Sequence, residues 1–175
     1  TIAVAVSGGP DSMCLLFLLN NWIKKNKGSL VALIIDHQLR QESNIEANYV
    51  KEYLYSFNIS SKIIKIKKEY IKKKTMSEAR ENRFDCLLNY CKKENILHLF
   101  LGHHLDDNLE TFLIRKIGGS NFEGLRCIKN KVIYNNLRIL RPLIEIRKKD
   151  ILFYNKKNRI KFVLDPTNDN LNYTR

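Results

Sequence analysis

Ser7-Gly8-Gly9-Pro10-Asp11-Ser12 is the stretch that decides the fold of this chain. It follows a short β-branched run, Ile2–Val6, and precedes Met13–Ile23, where Leu15, Leu18, Leu19 and Trp22 recur at helical spacing. A strand that passes through two glycines into a helix leaves the first helical N–H groups unpaired and turns the positive dipole end toward the loop. Gly8 and Gly9 let the backbone turn tightly and come close to a ligand. An anion, above all a phosphate, is the natural occupant. Two adjacent glycines alone would mark no more than a turn. The full Ser-Gly-Gly-x-Asp-Ser string, set between strand and helix, makes the loop a phosphate site.

The loop is not of the kinase type, because the first lysine after the glycines is Lys24. A Gly-x-Gly-x-x-Gly dinucleotide fingerprint is absent as well. Working outward, strands and helices alternate. Leu30–Ile35 is continuously apolar, as in a strand covered on both faces, and Glu42–Phe57 reads as a helix with Ile45, Tyr49 and Leu54 near one side. Lys62–Ile66 is a third strand, Ser77–Lys93 a third helix with Ser77 as its N-cap, and Leu97–Leu101 a fourth strand leading into a helix from Asp106 to Lys116. This order predicts an α/β three-layer sandwich with a parallel central sheet, Rossmann-like in its winding. Beyond Ile117 a loop opens at Gly118-Gly119-Ser120-Asn121. Val132–Tyr134 and Leu137–Leu140 flank Asn135-Asn136 as a hairpin. Ile146–Asn158 reads as a basic helix and Phe162–Leu164 as a last strand.

Composition narrows the setting. The 175 residues, 44% hydrophobic, suffice for one sizeable core. No apolar run approaches the roughly 18 residues a membrane-spanning helix needs, and Ile2–Val6 is too short for a signal peptide. A cytoplasmic protein without a membrane partner is expected. The formal net charge of +13 attracts polyanions, although lysines that merely solvate the surface would give the same count. Cys14, Cys86, Cys91 and Cys127 form no C-x-x-C pair and no metal spacing, so reduced thiols, three of them in helical apolar patterns, are expected.

The Ser7–Ser12 loop resembles the PP-loop of the ATP pyrophosphatase superfamily, whose fold is the adenine nucleotide alpha hydrolase-like sandwich. The resemblance implies that ATP is cleaved between its α- and β-phosphates and that AMP passes to a substrate. Ser7, Gly8, Gly9, Pro10, Asp11 and Ser12 would cradle the pyrophosphate moiety, with Asp11 helping to hold Mg2+. Further segments narrow the choice. They are Ile35-Asp36-His37-Gln38-Leu39-Arg40, Ala79-Arg80-Glu81-Asn82-Arg83-Phe84, the run from Leu101 through His103-His104-Leu105-Asp106-Asp107 to Glu110-Thr111, Arg141-Pro142-Leu143, and Asp165-Pro166-Thr167-Asn168. Read with the loop, they resemble the N-terminal catalytic domain of the tRNA(Ile)-lysidine synthetase family across essentially the whole chain.

That resemblance implies a two-step ligation. ATP adenylates the C2 oxygen of the wobble cytidine of tRNA(Ile) with a CAU anticodon, and the ε-amine of free L-lysine then displaces AMP to form lysidine. Arg80 or Arg83 would add a cation for the departing pyrophosphate. Asp36, His104, Asp107 and Glu110 would share the capture and deprotonation of lysine, with Asp36 and Asp107 favoured and His103 or His104 the weaker choice. Ordinary roles compete with these: Asp106 and Asp107 would equally serve as helix caps, Glu110 as a solvated acidic face, and the arginines as surface partners of Glu81 or Asp85. Residues 1–175 are expected to be one PP-loop N-type ATP pyrophosphatase catalytic domain cut from a longer polypeptide, without the C-terminal region that grips tRNA. Such a piece would bind ATP and handle tRNA poorly. Lys116-Ile117-Gly118-Gly119 departs from the family's compact Arg-Gly-Ser-Gly, and the late motif bearing Asn168, Tyr173 and Arg175 is incomplete. Alternatives are a tRNA thiolation enzyme of the same superfamily, a synthetase making NAD or GMP, and a non-catalytic ATP- or RNA-binding module. The module would be favoured if Asp11, Asp36 and Asp107 failed to converge. A homodimer is compatible with every reading.

Overall fold

The computed structural model describes residues 1–36, 38, 42–66, 76–121 and 123–163, and the side chains of residues 42 and 76–79 lie outside that description. The elements are β1 (Ile2–Val6), α1 (Pro10–Lys25), β2 (Leu30–Asp36), α2 (Glu42–Tyr55), β3 (Ser60–Lys65), α3 (Met76–Lys93), β4 (His98–Phe100), α4 (Leu105–Ile117), β5 (Lys131–Tyr134), β6 (Leu137–Leu140) and α5 (Lys148–Lys157). They build one six-stranded sheet in the order β3-β2-β1-β4-β6-β5. Every pairing is parallel except β5 with β6. That hairpin turns on Asn135 and Asn136, both at positive φ (44° and 68°), as a two-residue turn matched to strand twist requires.

Alternation along the strands divides the core in two. Val4, Val6, Ala32 and Ile34 pack with Leu15 and Leu16 of α1, Val50 and Leu54 of α2 and Ile151 of α5. Ala3, Leu33, Leu99 and Ile139 pack on the opposite face with Leu87 and Cys91 of α3. The three-layer sandwich with a mostly parallel sheet is therefore present as expected.

Details differ from the sequence reading. The first helix begins at Pro10, three residues early, because Gly9 takes the extended N-cap conformation and Pro10 suits the first turn. Leu18 and Trp22 are exposed (36% and 53%), while Met13, Leu16, Phe17, Asn20 and Ile23 are buried. On α2 Ile45 and Tyr49 are exposed, and Ser43, Ala47, Val50 and Leu54 form the buried face. Close approach explains the preference for small residues, since a Cβ on Gly8 would come 2.8 Å from Val50 Cγ2. Ser77 lies inside the first turn of α3 rather than before it. Phe162 and Val163 belong to no strand, and Val163 N–H instead donates to Gly8 O at 2.9 Å. His37, Leu39, Arg40, Leu164, Asp165–Asn168, Tyr173 and Arg175 lie outside the described residues. Among the described residues no helix is long and apolar enough to cross a membrane.

Candidate active site

The sheet order places β1 between β2 and β4, so the chain winds outward in one direction from β1 and then in the other. Open α/β sheets form a crevice at such a reversal, beyond the carboxyl ends of the strands. The Ser7–Ser12 loop occupies it. Gly8 sits at φ +85°, a conformation that costs glycine nothing. The loop is tied by its own hydroxyls. Ser12 Oγ donates to Gly9 O at 3.0 Å, Ser7 N–H donates to Ser12 Oγ at 3.2 Å, and Gly9 N–H donates to Ser7 Oγ at 3.3 Å. Asn155 of α5 holds the loop from below, its Nδ2 donating to Pro10 O at 2.9 Å. Gly102, just past β4, lets that strand end meet the loop, for a Cβ there would lie 3.1 Å from Ser12 N.

Asp36 ends β2. Val6 pairs with Ile34, so the register carries Asp36 to the level of Gly8. It is 1% exposed. Its Oδ1 accepts from Ser43 Oγ at 2.6 Å and from Gln38 N–H at 3.1 Å, whereas its buried Oδ2 has no hydrogen-bond partner among the described residues. A buried carboxylate oxygen left in this state favours a cation beside it.

His104 is the N-cap of α4 and is buried. Its Nε2 lies 3.6 Å from Asp11 Oδ1 and 3.5 Å from Asp107 Oδ2, so one imidazole links the loop carboxylate to the carboxylate of α4. Asp107 also caps its own helix, accepting His104 N–H at 3.0 Å. Asp106 accepts Lys148 N–H at 2.7 Å and so caps α5, which lowers its pKa. Glu110 stands further along α4, lining an open groove with Asp106, Leu109, Leu113, Ile114 and Ile117. The structure thus joins Asp11 to Asp107 through His104, sets Asp36 at the neighbouring strand end, and places Glu110 at the margin.

His103 gathers the cations. Its pKa is pushed down to about 4, chiefly by burial and then by Arg141, with Asp107 pulling it upward and Arg80 and Arg83 adding to the lowering. The two arginines of α3 therefore act on the same edge as the strand ends. The reason is topological: a helix begins where its preceding strand stops, so the first turns of α3 stand at the carboxyl edge. Arg141, just past β6, donates from Nη1 to Lys129 O at 2.9 Å while its buried Nε has no partner among the described residues.

Lys148, the first residue of α5, is the group that sequence reasoning missed. Its Nζ lies 2.6 Å from both carboxylate oxygens of Asp11. The only signal was position, the opening residue of a helix that follows a strand end, and it was hidden in the basic run Arg147-Lys148-Lys149. The fit to magnesium is that of a shared site. Among the described residues no group of three or more His, Cys, Asp or Glu side chains gathers as a metal cage. Magnesium needs only one or two carboxylates when substrate phosphates complete its shell. Asp11, already facing a cation, suits that role.

A doubly wound α/β sheet with a glycine loop at its switch point, rimmed by carboxylates and cations, defines a protein that holds a polyphosphate. More specifically, the chain belongs to the PP-loop domain family, whose profile matches residues 1–175, and use of ATP comes with that membership. Relatives include the tRNA(Ile)-lysidine synthase of Orientia tsutsugamushi, 40% identical over 174 residues, which cover 99% of this chain and 39% of that protein. The tRNA(Ile)-lysidine synthase of Wolbachia pipientis wMel is 42% identical over 176 residues, covering 99% and 41%. The chain thus spans about two fifths of the length of these curated relatives. Among solved structures, the U34-tRNA thiolase of Methanococcus maripaludis superimposes with a TM-score of 0.80 at 22% identity, covering 94% of this chain and 59% of that one. The NH3-dependent NAD synthetase of Campylobacter jejuni superimposes at 0.57 and 19% identity, covering 99% and 69%. Both show the shared fold.

Proposed function

We propose that this chain is the catalytic domain of a tRNA(Ile)-lysidine synthase of the cytoplasm. The observation that carries the proposal is the likeness to proteins of that name along 99% of the chain at 36–42% identity. In this reading Ser7, Gly8, Gly9, Pro10 and Ser12 hold the phosphates of ATP against the start of α1. Asp11 contributes a ligand to magnesium, which when bound would neutralise charge on the departing pyrophosphate. Arg80 and Arg83 offset the same charge from α3.

Asp36, whose buried Oδ2 has no hydrogen-bond partner among the described residues, receives the ammonium of free lysine at the strand next to the loop. That ammonium must lose a proton before it attacks C2 of the adenylated cytidine. His104 and Asp107, 3.5 Å apart, form the accepting pair, with Glu110 extending the acidic side of α4. His103, held neutral at ordinary pH, presents an imidazole rather than another positive charge to the incoming amine.

Thiolation is less well supported by the residues. Cys14 and Cys91 are buried, with thiols pushed up to about 11 chiefly by burial, and such thiols stay protonated near neutrality. The test is incubation of the full-length protein with ATP, magnesium, labelled lysine and a CAU-anticodon tRNA(Ile) transcript. Label entering tRNA together with AMP and pyrophosphate is the expected result. ADP and orthophosphate, or label-free tRNA alongside pyrophosphate release, would overturn the assignment. Asp36→Asn and Asp107→Asn are expected to lower lysine transfer by at least about a hundredfold, the scale of a lost acid–base or charge-clamping group, while the fold persists by circular dichroism.

A further inference from the structure

Lys148 and Asp11 are 137 positions apart in sequence, yet Lys148 Nζ contacts both carboxylate oxygens at 2.6 Å. Neither side chain is deeply buried, at 35% and 25% exposed, so the pair sits at the mouth of the crevice and not in the core. Its position is fixed from both ends. The N–H of Lys148 is anchored on Asp106 Oδ2 at 2.7 Å, and α5 is seated on α1 through buried Ile151 and the Asn155 bond to Pro10 O. The N-terminal ends of α1, α4 and α5 all meet here, since Asp11, His104 and Lys148 each belong to the first turn or cap of a different helix.

Electrostatics make this placement informative. Three positive helix ends disfavour an added ammonium and favour an anion. The ammonium stays because Asp11 holds it, and while it stays both oxygens of Asp11 are engaged. A carboxylate engaged in this way is a poor ligand for a second cation. The loop amides, by contrast, are directed at a polyanion that has its own use for a cation.

We propose that Lys148 is a resident counter-ion of the loop: it holds Asp11 in the nucleotide-free protein, releases that carboxylate to the metal accompanying the nucleotide, and turns its ammonium onto the polyphosphate. The exchange moves no proton and breaks no covalent bond. It rests on reading the loop as a triphosphate site, and it assigns Lys148 a positioning role that a merely structural ion pair would not have.

The test uses Mn2+ alone as a probe, followed by electron paramagnetic resonance, and a fluorescent ATP analogue with magnesium. In the unmodified protein Mn2+ binds weakly without nucleotide, because Lys148 occupies Asp11. Lys148→Met is expected to raise the affinity for Mn2+ alone on the order of tenfold and to lower nucleotide affinity on the order of tenfold, the scale of one charge-assisted hydrogen bond. Lys148→Arg is expected to retain nucleotide binding. Asp11→Asn in either background is expected to abolish the Mn2+ signal. Changes of both affinities in the same direction, or no change in Mn2+ binding, with the melting transition intact, would overturn the exchange. Failure of the unmodified protein to bind the nucleotide would instead overturn the reading of the loop. Should Lys148→Met not fold, Lys148→Gln replaces it with the same two measurements.

Discussion

Gly8 and His103 show how single positions are committed to the site. Gly8 combines φ +85° with a space that Val50 Cγ2 would enter at 2.8 Å from any added Cβ. Gly8→Ala is therefore expected to cost about 1–3 kcal/mol, the scale of a strained backbone conformation, and to weaken nucleotide binding. Urea unfolding and a fluorescent nucleotide titration check both parts, and an unchanged midpoint would contradict them. His103 makes a prediction about pH. Its folded pKa of about 4 lies below the ordinary 6.5 because of burial and then Arg141. Below 6.5 the unfolded chain takes up a proton that the folded protein refuses, so stability falls as pH drops from 6.5 toward 4 and the loss ends below that. His103→Gln is expected to flatten this part of the profile in chemical unfolding followed across pH. A histidine resonance titrating near 6.5 and assigned to His103 would refute it.

At the scale of elements, α5 is a clamp on the phosphate loop. Asn155 is fully buried, donates to Pro10 O, and leaves its Oδ1 without a partner among the described residues. Asn155→Ala is expected to cost about 1–3 kcal/mol through the lost bond and space, whereas Asn155→Leu loses the same bond but keeps the space filled and is expected to cost less. Hydrogen exchange at Asp11 and Ser12 should quicken in both, and unchanged exchange would show that α5 does not brace the loop. This contact was illegible in the sequence, because nothing local links Asn155 to Pro10. The order of strands and helices was legible, since each alternation carries its own period. The buried faces of α1 and α2 were misjudged for a physical reason. Periodicity weights large apolar residues, but on α2 the buried positions include Ala47, Ser43 donating to Asp36 and Val50 packing beside Gly8, while Ile45 lies outside. The strand-end residues Asp36, His103 and His104 were readable from position. Arg80, Arg83 and Lys148 needed the further step that helices begin at the edge where strands end.

Across the whole molecule, part of the basic excess behind the formal charge of +13 falls at two edges of the sheet. Lys24, Lys25, Lys92, Lys93, Lys156 and Lys157 lie in the last turns of α1, α3 and α5, where a cation complements the negative helix end. Those turns are at the edge away from the loop, because these helices start beside it. Among the described residues, Arg80, Arg83, Arg141 and Lys148 are cations placed on the loop side. Without ATP, a tRNA whose wobble base approaches Ser7–Ser12 under the proposed function would bring its neighbouring phosphates to the three arginines of the second group, Lys148 being held by Asp11. Three such contacts would make affinity fall about 20- to 40-fold between 50 and 200 mM salt, from counterion release of roughly 0.7–0.9 per phosphate contacted. Replacing the six helix-end lysines by Gln is expected to leave that salt slope within about one unit, while Arg80→Gln with Arg83→Gln lowers it by about two, one unit per phosphate contact removed. Fluorescence anisotropy of labelled tRNA against salt measures both. The opposite pattern, a slope that depends on the helix-end lysines and ignores the arginines, would mean that the polyanion binds the far edge. The catalytic loop would then be reached only by a substrate other than the one proposed.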